Sequence, residues 1–537
     1  MGGISRRGFL TGTAFVGAGL AAGLAGCSSG GQSGSDGGPS GSAGATQESH
    51  DPVSTEQFDI VVVGSGTAGT CATLRAVEAG ASVVCLEKNS NLSGSSQYAE
   101  GLAGVGSREQ AARGISLDPV QVMESVMEYQ HYSCSGPVVK AFVHESGATM
   151  DWLADNGVAW YDVKALGDSY TTWHIPADPE TGEKIVIGPM IASLQERAKG
   201  MGAEFRTECP MTALVVEDGA VVGVYADRDG EEILVRADAV ILASGGYANN
   251  AELFEEFTGV SYDRVYAYGD EGRDGDGIDG ARKIGAATHK PGCVMFHSGK
   301  LEGTGSFSEL PNYIVCKQPT VRVNAGGERY FNEQVSMTDF SACGNVLTTN
   351  AQNFAVFDDD FITHIEVEGP WLGLLALDAE AGVPFECREG IEEFEYIFKA
   401  DTIADLAEKL GVNAGALEAT IERYNGFCES GVDEDFGLPA EYLFPVKTAP
   451  FYGAKVYPTL FTTVGGLAVN ESMQVLDADG YAIDRLYAAG GDAGSLYGAS
   501  YDVGVCSGSQ QGWAATSGRL GVEHALGLEA SSSAQSA

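Results

Sequence analysis

This sequence predicts an α/β fold organised on a parallel, Rossmann-type sheet, and three observations carry the prediction. A nearly continuous apolar run, Phe58-Asp59-Ile60-Val61-Val62-Val63, passes without a spacer into Gly64-Ser65-Gly66-Thr67-Ala68-Gly69. A second apolar run, Val83-Val84-Cys85-Leu86, ends on an acid, Glu87, 23 residues beyond Gly64. The 74 glycines are spread along the chain rather than gathered in one tract, which suits many tight turns between strands and helices.

Each element follows from its residues. An unbroken apolar run is the mark of a strand buried on both faces, as in a parallel sheet. Residues 70–79 read as the helix that follows the glycine turn. Gly64 makes the tight turn, Gly66 lets the backbone approach a pyrophosphate, and Gly69 lets helix pack on strand. The helix N-terminus then faces negative charge. Glu87 stands where a carboxylate accepts the hydroxyls of a ribose. A lone GxGxxG is weak; between two strands, with an acid at this distance, it predicts a dinucleotide site.

Composition bounds the rest. With 537 residues, 44% of them hydrophobic, the chain can build two or three packed units. A formal charge of −43 excludes a nucleic-acid partner and disfavours anionic substrates unless arginines cluster locally. Ser5-Arg6-Arg7-Gly8-Phe9-Leu10 is a twin-arginine export signature, followed by a mildly apolar stretch to Gly26 that is too short and glycine-rich to span a membrane convincingly. Leu24-Ala25-Gly26-Cys27 resembles a lipoprotein cleavage box, with Cys27 as the lipid-bearing membrane attachment; a plain cleaved signal and an uncleaved anchor are the alternatives. Residues 28–54 read as a flexible Ser/Gly linker. The expected location is the outer face of the cell membrane or the cell envelope. Eleven cysteines include no CxxC pair and no CxxCH haem site, so neither a disulfide framework nor a metal is expected. Cys71, Cys85, Cys293 and Cys506 read as small buried thiols.

Further segments carry a resemblance. Glu87-Lys88, Ser93-Gly94-Ser95-Ser96 and Glu100-Gly101-Leu102 resemble the "EK…GGN/S…GG" stretch of the fumarate reductase/succinate dehydrogenase flavoprotein family. Val240 to Tyr247 is similar to its "VVLATGGF", Asp274-Gly275-Asp276-Gly277 to its "TGDG", Val323 to Glu333 to its "VNxxGxRFxNE", and Leu486 to Asp492 to its "GLYAAGE". The matches run in family order over about residues 57–525. The resemblance implies FAD as cofactor and a Rossmann-type FAD-binding domain with an inserted α+β capping domain. It also implies the divisions 55–290 and 464–530 for FAD, 291–463 for the cap, and a disordered tail at 531–537. Asp401 to Cys428 reads as two helices with Ile403, Leu406, Leu410, Leu417, Ile421 and Tyr424 inward. Carried over by position, Ala68, Glu87, Ser95, Ser96, Gly101, Ala213, Asp276 and Asp492 touch FAD, together with Gly508-Ser509-Gln510 at a helix start.

The departures from the family decide the chemistry. Its proton-donating arginine beyond "NE" is missing from Asn332-Glu333-Gln334-Val335-Ser336-Met337-Thr338-Asp339. Tyr501 stands at its carboxylate-binding arginine, Phe461 and Thr462 at its histidines, and Ile175 at the arginine of "SHRP". The expected pocket is therefore emptied of cationic side chains, and a buried unpaired dicarboxylate is too costly to bind there. Ketosteroid dehydrogenases of the same superfamily have a tyrosine near the position of Tyr501. A phenol can protonate carbon or polarise a carbonyl. The resulting expectation is reduction of an activated C=C in a neutral enone, steroid, lactone or phenylpropenoid, with Tyr501 and His297 as catalytic candidates. His297 is equally readable as a border histidine, Tyr501 as an aromatic wall, and His174, Tyr170 and Trp173 as packing. A dehydrogenase working in the reverse direction and a non-catalytic electron-relaying flavoprotein remain the alternatives.

Overall fold

In a computed structural model the described residues are 50–528, apart from 93, 167–168, 270–271, 306–308, 375–376 and 502. The twin-arginine stretch, Cys27, residues 28–49 of the linker, Ser93 and the tail at 531–537 lie outside them. Strand Ser54–Val63 runs parallel to Val83–Leu86 on one side and to Glu231–Leu242 on the other, with Val61 opposite Val84 and Val240. Glu204–Arg206 extends the parallel set beyond Val83–Leu86, and Ala482–Ala488 extends it beyond Glu231–Leu242. Val61, Val62, Val84 and Cys85 are fully buried, which is why their run shows no polar alternation. Antiparallel strands Met211–Glu217, Ala220–Arg228 and Gln474–Leu476 complete eight strands. The chain thus leaves this sheet after Leu242 and returns to it near the end, followed by the closing helix Ser509–Ala525.

The excursion builds a second sheet of six strands around the long strand Phe451–Thr463. Val294–Lys300, Asn353–Asp358 and Phe398–Ala400 pair with it antiparallel, and Val321–Asn324 lies outside Asn353–Asp358. Tyr266–Ala267, a two-residue strand early in this excursion, joins Phe451–Thr463 in parallel. The helix pair read between 401 and 428 is Ile403–Leu410 and Ala414–Ser430. Thr402 and Asn413 cap their N-termini, Gly411 and Gly431 end them in the left-handed region, and Leu406, Leu410, Leu417, Ile421 and Tyr424 are buried. A three-stranded sheet, Leu102–Ala103, Trp173–Ala177 and Ala159–Lys164, completes the frame around the cleft. Cys71, Cys85, Cys293 and Cys506 are buried, as their apolar contexts predict. Among the described residues no helix is long and apolar enough to cross a membrane, and no three or more His, Cys, Asp or Glu side chains are grouped as a metal site.

Candidate functional site

One cleft runs from the first glycine turn to the inner edge of the second sheet. At its nucleotide end the backbone does the shaping. Gly64 has φ +99°, and a Cβ there would sit 2.4 Å from the Ala243 carbonyl oxygen. A Cβ on Gly69 would lie 1.8 Å from the Gly64 carbonyl oxygen, so helix Thr67–Glu78 can rest on the turn only through glycine. Glu87 is buried and accepts from the Ser65 amide (3.0 Å), the Ser65 hydroxyl (2.7 Å) and the Asn89 amide (2.9 Å). These bonds hold its carboxylate at the end of strand Val83–Leu86, facing the cleft.

Gly64, Gly66, Ala68, Glu87, Ser95, Ser96, Gly101, Asp276, Gly508 and Gln510 all line this cleft, as do His297 and Tyr501. Asp276 does so while its carboxylate pairs with Lys88 at 2.6 Å. Gln510 Oε1 is buried without a hydrogen-bond partner, an acceptor that a bound cofactor's N–H or hydroxyl would satisfy. Together with the glycine cradle it makes this cleft fit an elongated dinucleotide.

Four expected contacts sit elsewhere. Gly69 backs Gly64 and does not line the cleft. Ala213 lies in strand Met211–Glu217 opposite Tyr225, past a register shift; only the start of that strand reaches the cleft, through Pro210 and Met211. Asp492 is fully buried behind the wall, where its carboxylate accepts from the amides of Ser244 (2.6 Å) and Gly246 (2.9 Å) and from the Ser244 hydroxyl. Burial raises its pKa against those bonds, and Gly490 and Gly491 present the surface there instead. Ser509 points away to the Tyr497 hydroxyl at 2.8 Å, leaving Gly508, Gln510 and Gln511 to face inward.

The other end is built from side chains. His297 comes from strand Val294–Lys300, Phe461 from Phe451–Thr463, and Phe340 from the start of helix Phe340–Leu347. His297 lies 4.7 Å from Phe340 and 5.9 Å from Phe461, centroid to centroid, and Tyr268 lies 5.4 Å from Phe461. The loop before the closing helix is clamped by fully buried Gln130. Its Oε1 accepts from the amides of Gly498, Ala499 and Ser500, and its Nε2 donates to the Ser500 carbonyl at 2.7 Å, immediately before Tyr501. Ile175 is buried in strand Trp173–Ala177 and does not line the cleft, whereas Trp173 does. His174 is structural: Nδ1 meets the Thr172 carbonyl at 2.8 Å and Nε2 the Ser107 hydroxyl at 2.7 Å, and burial lowers its pKa to about 4.

The expectation of a pocket without cations fails at this end. Lys317, last residue of helix Leu310–Lys317, is 1% exposed, with its Nζ 3.4 Å from His297 Nε2 and 4.5 Å from the centre of the Phe340 ring. Burial pulls its pKa down to about 7, against the opposing charge of Glu100, whose own carboxyl is raised by burial. Burial, and then the Lys317 charge, hold His297 well below its ordinary value, so its imidazole is neutral at physiological pH. The other cations in the lining are committed: Lys88 to Asp274 and Asp276, and Arg273 to Asn249 Oδ1 and the carbonyls of Phe461 and Tyr268. Lys317 and Gln130 escaped sequence reasoning. The available signal for Lys317 was a single cation closing the apolar stretch Ile314-Val315-Cys316 in a chain poor in basic residues.

Residues 59–507 match the family model described as FAD binding domain. The chain is 34% identical over 488 residues to the vinyl phenol reductase of Lactiplantibacillus plantarum, covering 88% of this chain and 96% of that one. It is 31% identical over 468 residues to the urocanate reductase of Eggerthella lenta, covering 84% and 72% respectively. The open conformation of a flavocytochrome c3 fumarate reductase aligns with a TM-score of 0.68 at 25% identity, over 88% of this chain and 78% of that one.

Proposed function

We propose, from the premise that this chain belongs to the FAD-binding-domain family of oxidoreductases and uses FAD as its cofactor, that it reduces the activated C=C bond of a neutral conjugated acceptor. One observation carries the reading. The side-chain end of the cleft is walled by Phe340, Phe461, Tyr268 and Trp173, and its only arginine among the described residues, Arg273, is spent on protein acceptors. Such a slot favours flat, weakly polar molecules over dicarboxylates, whose desolvation needs paired guanidinium groups. Enones, steroids, lactones and phenylpropenoid-like alkenes fit that description. The relative named vinyl phenol reductase supports the last of these.

Reduced FAD, when bound, supplies the hydride from its N5. The protein's part is to hold the acceptor flat, exclude water and manage one proton. Tyr501, 7% exposed and presented by the loop that Gln130 clamps, carries the hydroxyl that protonates the substrate carbon or hydrogen-bonds its activating oxygen. His297 serves as a neutral imidazole, a hydrogen-bonding group rather than a charged acid.

The twin-arginine stretch and the box ending at Cys27 support export and lipid attachment at the outer face of the membrane, with electrons arriving from a separate membrane or cytochrome/FMN donor. Mass analysis of the mature N-terminus checks this, and an unmodified Met1 in purified membranes refutes it.

The catalytic reading is tested by reducing the FAD-loaded chain anaerobically and adding a panel of enones, vinyl arenes and enoates. Rapid reoxidation by neutral alkenes, with fumarate inert, is expected. Fast turnover of fumarate, or reoxidation by none of the panel, overturns it.

A further inference from the structure

Lys317 and His297 form a polar pair sunk in an aromatic wall, and nothing in the reading above uses the lysine. From this juxtaposition we infer that the pair reads an aromatic hydroxyl, and that the acceptors of this site are hydroxyaryl alkenes whose phenolic oxygen meets Lys317 Nζ. The inference rests on the reductase reading and narrows it.

The argument is one of matching donors and acceptors. Lys317 Nζ lies 3.4 Å from His297 Nε2 and 4.5 Å from the centre of the Phe340 ring, on a side chain that is 99% hidden from solvent. A carboxylate is poorly served here. It has four acceptor sites and a full charge to desolvate, while the cleft offers one amine with the acidic Glu100 as its electrostatic neighbour. A ketone oxygen only accepts. A phenol both donates and accepts, and its body is the flat, apolar ring that Phe340 and Phe461 are shaped to hold.

The protonation behaviour of the pair points the same way. Burial brings Lys317 to about 7, so amine and ammonium are both populated near neutrality, and His297 is neutral. A phenolic hydroxyl finds a partner in either state: it accepts from the ammonium or donates to the amine. A ketone, lactone or ether oxygen can only accept, and a hydroxyl on a saturated carbon lacks the flat ring beside it.

The test uses saturated ligands, so that binding is read without turnover. The oxidised, FAD-loaded full chain is titrated with 4-ethylphenol, 4-ethylanisole and 3-phenylpropionate, following the flavin absorbance. The phenol is expected to bind at least about 100-fold tighter than its methyl ether, as expected of sites built to hydrogen-bond a hydroxyl. Lys317→Met should remove that preference while the ether's affinity stays the same. If Lys317→Met fails to load FAD, His297→Gln replaces it, and a preference cut at least tenfold is expected. Equal binding of phenol and ether by the native protein, a preference that survives these changes, or tighter binding of 3-phenylpropionate would each overturn the proposal. A protein that discriminates phenol from ether yet passes electrons to no alkene keeps this site and loses the reductase reading. One that reduces enones but binds phenol and ether alike loses this proposal alone.

Discussion

The two ends of the cleft are made by different means. At the nucleotide end the surface is mostly backbone: Gly64 at φ +99°, the turn into helix Thr67–Glu78, and one buried carboxylate held by neighbouring amides. At the other end His297, Lys317, Phe340, Phe461 and Tyr501 come from five separate segments of the chain and meet only through packing. At Gly64 and Gly69 no Cβ fits, because the atom it would meet first is a backbone carbonyl oxygen. At the other end the surface is set by which side chains the five segments present, so substitution there changes the chemistry of the cleft rather than the path of its backbone.

The largest effect expected from breaking this contrast is at Gly64. Gly64→Ala places a Cβ 2.4 Å from backbone and forces a left-handed φ on alanine, so loss of essentially all bound flavin is expected in the ratio of flavin to protein absorbance. Retention of full yellow colour would show that the turn is softer than its geometry implies. Next comes Tyr501→Phe, which keeps the ring and removes the proton. Turnover should fall by roughly 100- to 10,000-fold with the flavin spectrum unchanged, and an unchanged rate would make Tyr501 a wall only.

A smaller effect is expected in stability against pH. Burial places the Lys317 pKa near 7 in the folded chain, against an ordinary value of 10.5 when unfolded. Between those values the unfolded state holds one more proton, so this lysine's contribution to stability rises with pH; below pH 7 both states are protonated and its burial cost stands in full. In urea unfolding of the apoprotein, the native chain should gain about 2 kcal/mol relative to Lys317→Met between pH 7 and pH 9. A flat difference would mean that the lysine is solvated. The smallest effect is expected at Ala213→Ser. Because Ala213 sits in a strand beyond the cleft lining, flavin content and melting temperature should not change measurably, and lost flavin would return this residue to the cofactor site.

How much could be read in advance follows the same division. The glycine turn, Glu87 and the helix pair at Ile403–Leu410 and Ala414–Ser430 were legible because each is a local pattern whose partners lie within a few turns or one βαβ unit. Asp492 and Ser509 were misplaced because position along the chain places a residue in a loop but not the side of the wall it faces. Lys317 was missed because its contact with His297 spans 20 residues and requires a helix and a strand of the second sheet to pack together. Gln130 meets Gly498–Ser500 across about 370 residues, a distance over which no periodicity survives.

By itself the sequence determined the α/β class, the dinucleotide turn and its acid, and the absence of family arginines around Tyr501, since these depend on residue type and short spacing. Only the tertiary structure decided that a buried amine lines the cleft, because burial, opposed by the charge of Glu100, sets its protonation. Local spacing governs backbone conformation; the protonation and reach of a side chain are properties of its surroundings, which the folded chain alone assembles.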